Sequence, residues 1–181
     1  MISGKLESQR GGSVIVPYLR VDGELYVGAN SQKRSLTGRF VAEVPRGFSL
    51  PQETHEETAM REFQEETGVI RPLAERVEPL AGKPINPNTA FFQANPNKGE
   101  GVRLFGVKIE PDEVELRRES ENPRFRVYKF TPELQEKIKF LNEKIKPEGI
   151  RFFHASLLSE TSDGFTIQAI GRLFAVQNSS L

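Results

Sequence analysis

The order of apolar and polar positions marks out a strand-rich first half, a charged middle and an apolar closing segment. Residues 12–19, GSVIVPYL, are rich in β-branched side chains and predict a β-strand. Pro17 cannot donate to a ladder, which weakens that strand or places it near a sheet edge. Asp22-Gly23 is a hairpin signal, and ELYVGA, 24–29, is the returning strand. SQKRSLTGR, 31–39, reads as a polar loop, FVAEVP, 40–45, as a short strand, and Arg46-Gly47 as a bend. Thr54 and Glu57 have capping-box spacing, residues 55–67 contain no glycine or proline, and Gly68 fits a helix C′ position.

Beyond that helix a strand is predicted over 69–80. Residues 82–101 alternate turn residues with a short aromatic run, and VRLFGVKI, 102–109, reads as a strand. Residues 111–123 are charged and read as irregular, and RFRVYKF, 124–130, as a strand. TPELQEKIKFLNEKIK, 131–146, is an amphipathic helix with Leu134, Ile138, Leu141 and Ile145 on one stripe. IRFFHASLL, 150–158, predicts a strand running into a turn, and DGFTIQAIGRLFAVQ, 163–177, a closing helix. Strands and helices mix without regular βαβ alternation, which predicts the α+β class with a mixed sheet flanked by helices. No repeat or low-complexity linker divides the chain, so residues 1–181 are read as a single domain.

Charge narrows the function. Twenty-five basic and 25 acidic residues give no net charge, which argues against a broad nucleic-acid footprint and leaves room for a local basic pocket. The absence of cysteine excludes disulfides, zinc–thiolate sites and thiol nucleophiles. MISGKLESQRGG lacks the apolar stretch of a signal peptide, and no run of eighteen apolar residues occurs. A cytoplasmic protein without a membrane segment is the expectation.

The segment GFSLPQETHEETAMREFQEETGV, 47–69, holds Glu53, Glu56, Glu57, Glu62, Glu65 and Glu66 but only one basic partner, Arg61, besides His55. Like charges this close on a helix repel. At about 100° per residue, Glu62, Glu65 and Glu66 project from one face, with Ala59 and Phe63 beside them as an apolar flank. Oxygen donors at i, i+3 and i+4 suit Mg²⁺ or Mn²⁺ better than zinc. The plainer alternative is a solvated acidic face. His55 and His154 lack ligand partners at metal-site spacing and read as ordinary residues.

Gly47, five residues, Glu53, seven residues, then REFQEETGV resembles the Nudix box, G-x5-E-x7-R-E-U-x-E-E-x-G-U, with U bulky and apolar. Every fixed position matches, and Phe63 stands where an aliphatic residue is more usual. The flanks are similar to the ADP-sugar pyrophosphatase branch: E-V-P-R-G before the box, Gln32-Lys33-Arg34 upstream, Pro84 sixteen residues beyond Gly68, and the closing DGFTIQAIGRL. The resemblance implies an α/β/α sandwich of the Nudix fold with a catalytic loop–helix–loop. Residues 111–147 then stand out as an insertion, and only about eleven residues precede the first strand, where that branch carries a longer arm used in dimer contacts and the adenine pocket.

The implied activity is Mg²⁺-dependent cleavage of the pyrophosphate bond in a nucleoside diphosphate linked to another moiety, ADP-ribose or another ADP-sugar, with Mn²⁺ as a substitute. The implied metal ligands are Glu62, Glu65, Glu66 and the backbone carbonyl of Arg46, while Glu53 and Arg61 form a structural ion pair. For the general base the resemblance offers loop glutamates, Glu119, Glu121 or Glu148, or a box glutamate, Glu62 or Glu65. A loop glutamate is equally read as solvated surface charge. Arg34 and Arg46 are candidate substrate contacts, and Arg34 also reads as an exposed loop charge. Phe91, with Phe92, can stack a nucleobase or divide between core and surface. A small-molecule nucleotide is the expected partner, and a homodimer is compatible. Alternatives are a nucleoside triphosphate, a dinucleoside polyphosphate or an RNA cap as substrate, or a Nudix module that senses a nucleotide without cutting it.

Overall fold

The structure, a computed structural model, describes residues 11–33, 38, 40–69, 74–80, 101–134, 149–161 and 163–178. Nine strands are described: β1 (Gly12–Val21), β2 (Glu24–Lys33), β3 (Phe40–Glu43), β4 (Arg46–Phe48), β5 (Val77–Pro79), β6 (Val102–Lys108), β7 (Val114–Arg118), β8 (Val127–Phe130) and β9 (Arg151–His154). Three α-helices accompany them: α1 (His55–Thr67), α2 (Ala155–Thr161) and α3 (Gly164–Asn178). The sheet runs β5-β6-β1-β2-β9-β8-β7, with β3 added to β2 and β4 to β1. β1 lies parallel to β6, whereas its pairings with β2 and β4 are antiparallel.

Side chains of β1 divide the core by their alternation. Ile15 and Leu19 join Ala59 and Phe63 of α1 on one face. Val14, Val16 and Tyr18 join Ala155 and Leu158 of α2 and Ala169, Ile170 and Leu173 of α3 on the other. Helices thus cover both faces, and the mixed sheet flanked by helices agrees with the fold class read from the sequence.

Several local expectations are corrected. β1 is central, and Pro17 is accommodated by a break in pairing. The Ile15 N–H bonds Pro45 O on the β4 side, while Tyr18 O accepts from Ile109 on the β6 side. Alternation therefore turns the Pro17 nitrogen toward the gap between the β4 ladder, which ends at Val14, and the β2 ladder, which starts at Tyr18. Arg46-Gly47 belongs to strand β4, and β2 runs through Ser31–Lys33 because β3 pairs there. Residues 114–118 are a strand: β7 hairpins onto β8, which carries the sheet beyond β9. Among the described residues of 69–80, Val69 forms a bridge and Val77–Pro79 a strand, and α2 begins where a turn was expected. Most of the predicted helix 131–146 lies outside the described residues.

Candidate active site

Helix α1 is built as its sequence requires. Thr54 and Glu57 cap it reciprocally, with Glu57 N donating to Thr54 Oγ1 at 3.2 Å and Thr54 N to Glu57 Oε2 at 2.7 Å. Gly68, at φ 75°, ends it in the left-handed region. Ala59 and Phe63 are wholly buried against the sheet, and this rotation aims the glutamates at β4 and β2.

Glu53 and Arg61 lock the preceding loop to the helix. Arg61 Nε and Nη2 grip Glu53 at 2.8 and 3.1 Å, and Nη2 also donates to Phe48 O. Glu53 further accepts from Leu50 N and Thr58 Oγ1. The Arg61 guanidinium, aided by these donors, holds the Glu53 carboxyl at about 2. The structural pairing expected of these two residues is present.

The remaining carboxylates separate by role. Glu62 is largely buried and bonds Arg61 Nη1 at 2.5 Å. Its carboxylate fills the space beside Gly47, where any Cβ would overlap it. Glu66 is buried more deeply and accepts from Asn30 Nδ2 at 2.8 Å and from the backbone N–H of Arg46. Burial, followed by repulsion from Glu62, pushes the Glu66 carboxyl up to about 8. Burial also raises Glu62, against the lowering effect of Arg61. Glu65 is 43% exposed and turns to Arg61 at 3.3 Å. Among the described residues no three acidic or histidine side chains are drawn together as a ready-made metal cage. Glu62 and Glu66 meet the Arg46–Gly47 backbone, while Glu65 turns to Arg61.

The backbone of Arg46 completes this corner. Pro45 O faces β1, where it receives Ile15 N–H. The next residue along a strand points its N–H and C=O to the opposite side, so the Arg46 carbonyl lies on the side of Glu66. Two half-buried carboxylates, a strand carbonyl and the Asn30 side chain are all hard oxygen donors. The buried Asn30 Oδ1 has no protein hydrogen-bond partner. An oxygen-rich corner containing a disfavoured carboxylate and an orphaned amide oxygen fits a divalent cation.

The NUDIX domain family matches residues 9–153. The chain belongs to the Nudix family. Membership implies a hydrolase acting on pyrophosphate bonds, and Nudix enzymes generally use divalent metals such as Mg²⁺. No curated protein matches the sequence. Among solved structures, the Nudix domain of Shewanella oneidensis NrtR complexed with ADP ribose aligns with TM-score 0.55 at 12% identity, over 96% of this chain and 91% of that one. A C. elegans Ap4A hydrolase binary complex gives 0.53 at 14%, over 94% and 98%. A mutT/nudix family protein from Listeria innocua gives 0.51 at 15%, over 96% of each chain. These likenesses establish the Nudix fold.

Other candidates fall elsewhere. The Arg46 guanidinium is engaged by Glu43 at 2.8 Å and by Asp163, and it stacks over Phe165. Glu119 pairs with Arg126, which also reaches Asp22 in the β1–β2 turn. That turn is about 26 Å along β1 from Val14, the β4 partner of Arg46. Arg126 Nε also holds Ser120 O, so Glu121, the next residue, is kept at that far end and is not brought to the box. Arg34, Phe91, Phe92 and Glu148 lie outside the described residues. His154 bonds Glu24 and Ser156, and His55 bonds Gly12 O, consistent with ordinary structural roles. Sequence reasoning missed Asn30 and Glu43. Asn30 interrupts the apolar run of β2, and Glu43 opens the E-V-P-R-G pattern, so a buried polar role for each was the available signal.

Among the described residues, no helix is long and apolar enough to cross a membrane.

Proposed function

We propose that this Nudix protein hydrolyses the pyrophosphate bond of a nucleoside diphosphate linked to another moiety, with ADP-ribose or another ADP-sugar as the preferred class, in a Mg²⁺-dependent reaction. The observation that carries the reading is the meeting of Glu62 and Glu66 at the Arg46–Gly47 backbone. Glu62, Glu66 and the Arg46 carbonyl would hold the metal, with Asn30 orienting Glu66. When bound, Mg²⁺ supplies charge neutralisation for the diphosphate and a more acidic water. Without that charge, the two carboxylates would repel an anionic substrate. Glu65 keeps a solvent-facing carboxylate beside this pair and is the candidate to accept the proton of the attacking water.

The substrate class rests on the E-V-P-R-G, Gln32-Lys33-Arg34 and Pro84 markers and is supported by the ADP ribose complex of the NrtR domain. The test is a panel of ADP-ribose, ADP-glucose, diadenosine polyphosphates and nucleoside triphosphates with Mg²⁺, reading AMP and phosphate release. Fastest release of AMP from ADP-ribose or ADP-glucose is expected. Faster turnover of a triphosphate or polyphosphate would overturn the substrate, and binding without turnover would overturn the enzyme.

A further inference from the structure

We infer that the start of the closing helix, through Asp163, Phe165 and Thr166, positions the Arg46 carbonyl for cation binding; the inference rests on the proposed function. The segment from β3 to β4 crosses from the β2 edge to the β1 edge with only Val44 and Pro45 between the two strands. Pro45 has no N–H, and Val44 is buried at the crossing, where its amide faces no strand. A buried, unpaired amide is costly. The Thr166 hydroxyl, itself wholly buried, accepts that N–H at 3.1 Å.

Two further contacts hold the next residue of the segment. Asp163 pairs with Arg46 Nη1, and the Arg46 guanidinium lies 4.8 Å from the centre of the Phe165 ring. Asp163 Oδ1 also caps the helix by accepting Thr166 N at 2.9 Å, which sets the two anchors in one rigid corner. The β4 ladder is only three residues long, so it constrains Arg46 weakly by itself. These side-chain ties therefore determine where the backbone N–H and carbonyl of Arg46 stand. The N–H is already committed to Glu66. Asp163 and Thr166 touch no reacting group and act as positioning residues.

The test is titration of the full chain with Mn²⁺ alone, by calorimetry and electron paramagnetic resonance, alongside steady-state kinetics on ADP-ribose. Outer partners of metal ligands typically contribute about 10–100-fold in affinity or activity. Thr166→Val is expected to weaken Mn²⁺ binding about tenfold and lower kcat with KM little changed, while Thr166→Ser, which keeps the hydroxyl, restores both. If Thr166→Val does not fold, Asp163→Asn, which keeps a capping oxygen and loses the ion pair, is expected to show the same direction. Unchanged Mn²⁺ affinity in a folded Thr166→Val or Asp163→Asn overturns the inference alone. Failure of the unaltered chain to bind Mn²⁺ overturns the proposed metal site as well.

Discussion

The carboxylate of Glu62 occupies the place that a side chain at Gly47 would take. This relation joins the first residue of the box to its helix and gives the glycine a physical cause: the strand backbone must lie against a carboxylate. Gly47→Ala would push aside the far end of a flexible side chain and leave the buried strand core intact. The expected result is a loss of turnover of at least about tenfold with destabilisation of about 1 kcal/mol, the low end of the cost of overpacking. Kinetics and denaturant unfolding of the same preparation separate the two effects, and near-normal turnover would contradict the tight-approach account.

Glu66 makes metal-free stability depend on pH. Its carboxyl stands at about 8 when folded, against an ordinary value of 4.5. A raised acid favours the folded state fully below 4.5, and that contribution is lost as pH rises toward 8. Unfolding midpoints measured in a chelator should therefore fall across this window. Glu66→Gln should flatten the decline and reduce turnover at least about 100-fold, whereas added Mn²⁺ should stabilise the unaltered chain more at pH 8 than at pH 6. An equal Mn²⁺ effect at both pH values would argue against Glu66 as a ligand.

Glu53 works in the opposite sense. Arg61 and its other donors hold it at about 2, below 4.5, so its contribution is complete above 4.5 and disappears as pH falls toward 2. The pair borders solvent, which limits the contribution to about 1 kcal/mol. Glu53→Gln should lower stability by that amount at pH 7 and by little at pH 2. Equal losses at both pH values would show that packing, and not charge, holds the loop.

Glu121 lies with Glu119 and Arg126 at the end of the sheet remote from the box. Glu121→Gln is expected to keep kcat within about twofold, since a general base is worth about 10²–10⁴-fold. Glu65→Gln should lose turnover in that larger range while Mn²⁺ affinity changes little. The reverse pattern would return the base to the loop.

Much of the helix was legible because its determinants are local. Caps, periodicity and the absence of breakers lie within fifteen residues, and Ala59 and Phe63 are buried as the helical angles require. The strand over 114–118 was not legible, because charged side chains such as Glu115 and Lys129 pair across β7 and β8 on a solvated surface. Pro17 misled for a similar reason: an edge-like position can occur inside a central strand where two ladders meet.

Local residue order was enough to specify a capped helix with clustered glutamates on one face and a core stripe on its flank. Long-range packing settled which carboxylates meet the Arg46–Gly47 backbone, that Glu65 turns to Arg61, and that Thr166 supports Val44 from 122 residues away. Helical spacing follows from bond geometry within a few residues, whereas burial, carboxylate repulsion and the partner of an orphaned amide depend on segments brought together by packing.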